Sequence, residues 1–155
     1  MTLWLFFIII HAAAAVTNFT VGLTILSPKR VKQHKELMYL FLASLAVVIL
    51  CMIGAVVSRW NDDSILERVV FSCLIGLALY MMYRALHAQK LLQHLGPDTT
   101  YIDDVGFILI SLFNGFTVVA LIDLKVPGWA VGVGVVVATL LGAKLLALQK
   151  RKLTH

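Results

Sequence analysis

The chain has 155 residues, of which 61% are hydrophobic and only 14% are charged, and its mean hydropathy is +0.94. A soluble globular domain carries roughly a quarter charged residues, so this composition excludes an ordinary soluble protein. The net charge of +5 does not indicate nucleic-acid binding, because basic residues also collect at membrane edges, where they set topology and meet anionic lipid.

Five apolar runs follow one another along the chain, and no charged residue occurs before Lys29. Each run is long enough, or nearly so, to cross a bilayer core of about 30 Å at about 1.5 Å per helical residue. The predicted helices cover about 3–26, 36–58, 65–86, 104–122 and 129–148. We therefore predict an all-α polytopic transmembrane bundle of five spans, formed by residues 1–155 as one domain.

The connection between the third and fourth helices is predicted to be the longest loop, at about 89–103. The fourth helix is predicted to begin near Asp103 or Asp104, since acidic residues are favourable at a helix N-terminus. Arg68 and Arg84 flank the uncharged part of the third run. We interpret them as side chains that reach out to the two interfaces.

Basic residues are distributed unequally between the two sides of the predicted bundle. One side receives ten: Lys29, Arg30, Lys32, Lys35, Arg84, Lys90, Lys144, Lys150, Arg151 and Lys152. The other receives three: Arg59, Arg68 and Lys125. The positive-inside rule then predicts that the N-terminus is outside and the C-terminus is cytoplasmic. The three tryptophans fall at predicted outer ends and the four tyrosines toward inner ends, which is consistent with five spans.

Polar side chains inside the predicted spans are candidates for function, because they are costly in hydrocarbon unless paired. His11 and Asn18 share one face of the first helix, and Asn114 lies in the fourth helix at a similar depth to Asn18. One hypothesis is a polar seam between these helices that holds a ligand, proton or ion. The alternative is an interhelical hydrogen bond that only packs the bundle.

The fifth predicted helix carries small residues on repeating positions. They are Gly128 and Gly132 at GxxxG spacing, followed by Gly134, Ala138 and Gly142. Small residues let two helices approach closely. The stripe therefore predicts helix packing, either within this chain or against a second subunit.

A second group of histidines falls on the predicted cytoplasmic side beside the second and third helices, namely His34, His87 and His94. His34 precedes the second helix and His87 ends the third, so neighbouring antiparallel helices could bring the two rings together. Facing histidines can ligate a haem iron axially, which makes His34 and His87 the candidate cofactor-binding pair and haem b the candidate cofactor. The alternative is solvated interfacial histidines. No specific metal motif such as HExxH is present.

The stretch from His11 to Gly54 resembles the opening of an uncharacterised family of bacterial integral membrane proteins, distantly similar to cytochrome b561-type bundles. The matching features are His11, Gly22, the Lys29-Arg30 loop, His34-Lys35, and the later Tyr83-Arg84-Ala85. Met38 departs from the pattern, which usually has glycine there. The resemblance covers about the first 90 residues and implies a haem- or quinone-linked role.

No catalytic motif of any specificity is present. The leading hypothesis is a small non-catalytic subunit or accessory component of a membrane assembly, in a bacterial inner membrane. Its partners would be the lipid bilayer and either further copies of itself or other membrane subunits. The alternatives are a b-type electron carrier that uses His34 and His87, and a small transporter or channel that uses His11, Asn18 and Asn114.

Overall fold

The computed structural model describes residues 3–26, 34–61, 65–94, 98–124 and 126–151. Within them lie five helices: α1 (Leu3–Ile25), α2 (His34–Arg59), α3 (Ile65–His94), α4 (Thr99–Asp123) and α5 (Gly128–Arg151). Each is long and apolar enough to cross a membrane. The predicted all-α bundle of five membrane-spanning helices is confirmed.

Consecutive helices pack against one another in antiparallel pairs, and α1 also contacts α4. The contacts that fix these registers join Asn18 to Phe41, Arg84 to Asp104, Asn114 to Thr139 and Phe19 to Phe113. One end of the bundle therefore contains the start of α2 and α4 and the end of α1, α3 and α5. We call it the His34 end, after the first residue of α2.

The core is formed by α1 to α4, and α3 shows how the sequence builds it. Its buried residues are Ala78, Met81, Ala85, Ala88 and Leu92, at alternating spacings of three and four residues. This spacing keeps one face of a helix turned toward its neighbours. Three of the five are alanines, so the adjacent helices can approach the α3 backbone closely.

Helix α5 lies outside this core. Among the described residues it packs against α4 alone. Its one buried hydrophobic side chain is Ala138, while valines and leucines such as Val133, Leu140 and Leu145 are more than half exposed. In a bilayer such a face contacts either lipid or another protein.

The connection between α3 and α4 differs from the prediction. Helix α3 continues to His94 and α4 begins at Thr99, so the predicted loop at 89–103 is wrong. The helix continues because Leu92 extends the buried spacing of α3 and packs into the core. Asp98 caps α4, since its Oδ1 accepts a hydrogen bond from the Tyr101 amide at 2.7 Å.

Two features of the sequence fall outside the described residues. They are the basic loop residues Lys29, Arg30 and Lys32, and Lys125 between α4 and α5.

Candidate functional site at the His34 end

A buried carboxylate lies at the centre of the polar groups at this end. Asp104 is in the second turn of α4, and only 3% of its side chain is exposed. Its Oδ1 accepts a hydrogen bond from Nε of Arg84, and its Oδ2 lies 2.6 Å from Nδ1 of His87. Both partners come from α3, one turn apart, so Asp104 joins the two helices by two polar contacts.

Arg84 is held by aromatic rings as well as by the carboxylate. Its guanidinium carbon lies 5.0 Å from the centre of the Phe107 ring and 5.9 Å from that of Tyr80. Nη1 also donates to the Tyr80 hydroxyl at 3.4 Å. Cation–π contacts of this kind gain strength as water is excluded. Arg84 therefore turns inward to a defined site, whereas the sequence predicted that it reaches out to the interface.

The contact with Asp104 also orients the His87 ring. An ionised carboxylate can only accept hydrogen bonds, so Nδ1 of His87 carries the hydrogen that is donated. In the neutral ring, Nε2 is then the basic nitrogen. Because 45% of the His87 side chain is exposed, this ring connects the buried carboxylate to the surface of the bundle.

A second polar pair joins the first residue of α2 to Tyr101 of α4, one turn before Asp104. The His34 and Tyr101 rings stack, with centroids 5.9 Å apart and planes 26° apart. His34 is 5% exposed and Tyr101 1% exposed. Within the described residues, both ring nitrogens of His34 and the Tyr101 hydroxyl have no hydrogen-bond partner. Buried polar atoms are nearly always satisfied in folded proteins, so these three mark an unusual place.

The two pairs belong to one arrangement. Tyr101 and Asp104 are three residues apart on α4 and therefore share a helix face. We call Arg84, His87, Asp104, Tyr101 and His34 the polar cluster. It holds one opposed charge pair, two imidazoles and a phenol, which are groups that bind through hydrogen bonds and carry protons.

A separate ion pair joins α4 to α5. Lys150 of α5 contacts Asp103, whose side chain is 41% exposed. Exposed pairs of this kind contribute little to stability. Adjacent carboxylates on α4 thus have very different surroundings.

The structure brings His34 and His87 to the same end of the bundle but gives them different neighbours. A bis-histidine haem needs the two imidazoles on opposite faces of one macrocycle. Here the His34 ring is buried against Tyr101, and Nδ1 of His87 is bonded to Asp104. The contact with Asp104 leaves Nε2 of His87 available, as in many metal-ligating histidines, so only the burial of the His34 ring argues against an axial pair. Haem ligation by His34 and His87 remains a prediction, and no step is assigned to haem.

A small cleft lies between α2 and α3 near this end, with a volume of about 20 Å³. It is lined by Lys35, Met38, Tyr39, Gln89, Leu92 and Gln93. Pockets that enclose drug-sized ligands are larger, at about 300–1,000 Å³. This cleft also contains neither His34 nor His87.

The three residues of the predicted polar seam direct their hydrogen bonds to other groups than one another. Nδ1 of His11 lies 3.0 Å from the Val48 carbonyl, and Nδ2 of Asn18 donates to the Phe41 carbonyl at 2.6 Å. Both contacts join α1 to α2. Asn114 instead donates to Thr139 of α5 at 2.8 Å. A ligand, proton or ion role for these residues remains a prediction. Their hydrogen bonds join α1 to α2 and α4 to α5.

The small residues of α5 divide into two groups. A Cβ added at Gly134 would lie 2.8 Å from a Leu121 methyl, and one added at Gly142 would lie 2.6 Å from Ile110. These two glycines, with buried Ala138, face α4. A Cβ at Gly128 or Gly132 would meet nothing within 4 Å in the described structure.

Comparison of the chain with protein-family models, with curated proteins and with solved structures finds no match. No family is assigned. The chain is a five-helix bundle with candidate membrane spans.

Proposed function

We propose that the protein is a non-catalytic subunit or accessory component of a larger membrane assembly and that α5 is its docking helix. The observation that supports this is the position of Gly128 and Gly132. They have the GxxxG spacing that allows close helix approach, yet no side chain of the described structure lies against them. An apolar helix face can contact lipid as well as protein. Two glycines at this spacing instead favour a protein neighbour, because they let the backbone of a second helix approach closely.

Docking through Gly132 predicts that Gly132→Leu releases the chain from its assembly. In mild detergent extracts of the native membrane, the wild-type chain should migrate with a larger complex, and the variant at the size of the free 17.1 kDa chain. Gly76→Leu on α3 is the matched control, because a Cβ there also meets nothing within 4 Å. Identical migration of both variants with wild type would refute docking through this face.

Gly134→Leu separates docking from packing within the chain. Because Leu121 lies against this position, the added side chain should lower the unfolding temperature of the purified chain itself. Gly132→Leu should leave that temperature unchanged.

We propose further that the His34 end faces the cytoplasm of a bacterial cell, with the N-terminus outside, because basic residues favour that end ten to three. Asn61 is exposed at the opposite end, and Thr99 is exposed at the His34 end. In a chain without its native cysteines, Asn61→Cys should react with an impermeant maleimide in intact cells. Thr99→Cys should react only after permeabilisation, and the reverse pattern would overturn the orientation.

The electron-carrier and transporter hypotheses have less support. The former needs His34 as an axial ligand, and that ring is buried against Tyr101. The latter needs a common seam for side chains whose hydrogen bonds go to different helices. An absorption spectrum of the purified protein tests the first directly, and we expect no Soret band.

A further inference from the structure

We propose that His34 and Tyr101 line an internal water-binding site, and that water reaches it past His87 and Asp104. This inference is independent of the proposed docking of α5. The molecule bound at this site must be small and able both to donate and to accept hydrogen bonds.

Three buried polar atoms without a hydrogen-bond partner in the described structure lie around one stacked pair of rings. Two ring nitrogens of His34 and the hydroxyl of Tyr101 are buried without a partner among the described residues. A neutral imidazole offers one donor and one acceptor, and a phenol offers both. A buried water makes about three hydrogen bonds to such groups, so the available atoms match what water requires.

The described residues offer these atoms no alternative partner. The His34 and Tyr101 rings face each other as stacked planes, a geometry that satisfies no polar atom of either ring. Burying even one hydroxyl or imidazole nitrogen unpaired costs free energy. Retaining three such atoms around one stacked pair is explicable if a guest molecule bonds to them.

The exposed fraction of the side chains falls along the polar cluster from His87 to Tyr101. The side chain of His87 is 45% exposed, and it contacts Asp104, which is 3% exposed. Tyr101 follows on the same face of α4 and stacks on His34. Polar groups thus succeed one another from the surface to the buried ring. The Tyr101 hydroxyl has no direct hydrogen bond to Asp104 among the described residues, so a water molecule between the two would complete the route.

Radiolytic footprinting of the wild-type protein in detergent micelles tests hydration directly. A short X-ray pulse makes hydroxyl radicals from water in place, so a buried side chain is oxidised where water lies beside it. We expect oxidation of Tyr101 several-fold faster than of Met81, a buried core residue of α3 whose thioether is easily oxidised. Oxidation of Tyr101 no faster than that of Met81 would overturn the proposal.

Mixing with heavy-oxygen water just before the pulse tests the route. Incorporation of the heavy isotope at Tyr101 is expected, since the site exchanges with bulk water past His87. Only light oxygen at Tyr101 would overturn the route.

Tyr101→Phe provides a second readout that does not depend on radical chemistry. If water bonds to the hydroxyl, its loss should lower the unfolding temperature by roughly 2–4 °C. If the hydroxyl is dry, its removal abolishes an unsatisfied group, and the temperature should stay the same or rise. Tyr83→Phe is the matched control, because Tyr83 is 64% exposed on α3 and should show no change. An unchanged or raised temperature for Tyr101→Phe would contradict a hydrated site.

Discussion

Replacing Asp104 with alanine is expected to destabilise the folded protein by about 2–4 kcal/mol, less than for a fully buried pair because 24% of the Arg84 side chain is exposed. The carboxylate is almost completely buried and is the partner of both Arg84 and His87. Its removal leaves the guanidinium inside the bundle without the opposite charge that offsets its desolvation. Thermal or denaturant unfolding of the purified chain in one detergent measures the loss.

The neighbouring residue provides the control. Asp103→Ala removes the same chemical group from the same helix, but that side chain is 41% exposed where it meets Lys150. Exposed pairs contribute only about 0–1 kcal/mol. If the two variants lose equal stability, burial of Asp104 is not what makes its contacts valuable.

A double variant tests whether the charge or the space matters. Asp104→Leu combined with Arg84→Met removes both charges and keeps apolar volume between α3 and α4. Replacing a buried pair by packed hydrophobic residues is often neutral or stabilising. The double variant should therefore be more stable than Asp104→Ala, and a further loss instead would point to a packing defect.

The sequence predicts the spans well because the signal is long. Each apolar run is close to the length that a bilayer demands, and the five helices occur where those runs lie. The ends of the helices are harder to predict, since polar residues at the membrane interface occur both in helices and in loops. Gln89 and Lys90 suggested a loop, but Leu92 continued the buried spacing of α3. That spacing was readable in the sequence.

The polar cluster was missed as a consequence of that error at the helix ends. A fourth helix beginning near Asp104 leaves this carboxylate at an exposed N-terminus, with no need of a partner. Starting α4 at Thr99 moves Asp104 inward by more than a turn. It then lies beside Arg84, on the antiparallel neighbour. A charged residue inside an apolar run needs a partner at equal depth on a neighbouring helix. Applied to this sequence, that rule pairs Arg84 with Asp104.

The predicted seam between the first and fourth helices rests on depth alone. Depth follows from counting residues, and Asn18 and Asn114 were placed at similar depth by helical rise. Rotation about the helix axis does not follow when all faces of a helix are apolar. In the structure Asn18 points to α2 and Asn114 to α5. Which face meets which neighbour is decided by packing of side chains such as Phe41 and Leu109 around small residues.

Gly22→Leu is expected to cost about 1–3 kcal/mol, as overpacking at a close contact does. Gly22 is buried where α1 meets both α2 and α4. A Cβ built there would lie 2.6 Å from Leu109 Cδ2 and 2.9 Å from Phe41 Cε2. The longer side chain would force α1 away from two neighbours and expose the contacts that hold Asn18 against Phe41. The unfolding temperature of the purified chain should fall sharply.

Graded and matched variants make this prediction specific to the helix crossing. Gly22→Ala should lose less than Gly22→Leu, because the end of the Leu109 side chain can shift to admit one methyl group. Gly76→Leu should keep or slightly raise stability, since its Cβ meets open space and leucine has the higher helix propensity. Equal unfolding temperatures for Gly22→Leu and Gly76→Leu would mean that α1 does not approach α4 as closely as these distances require.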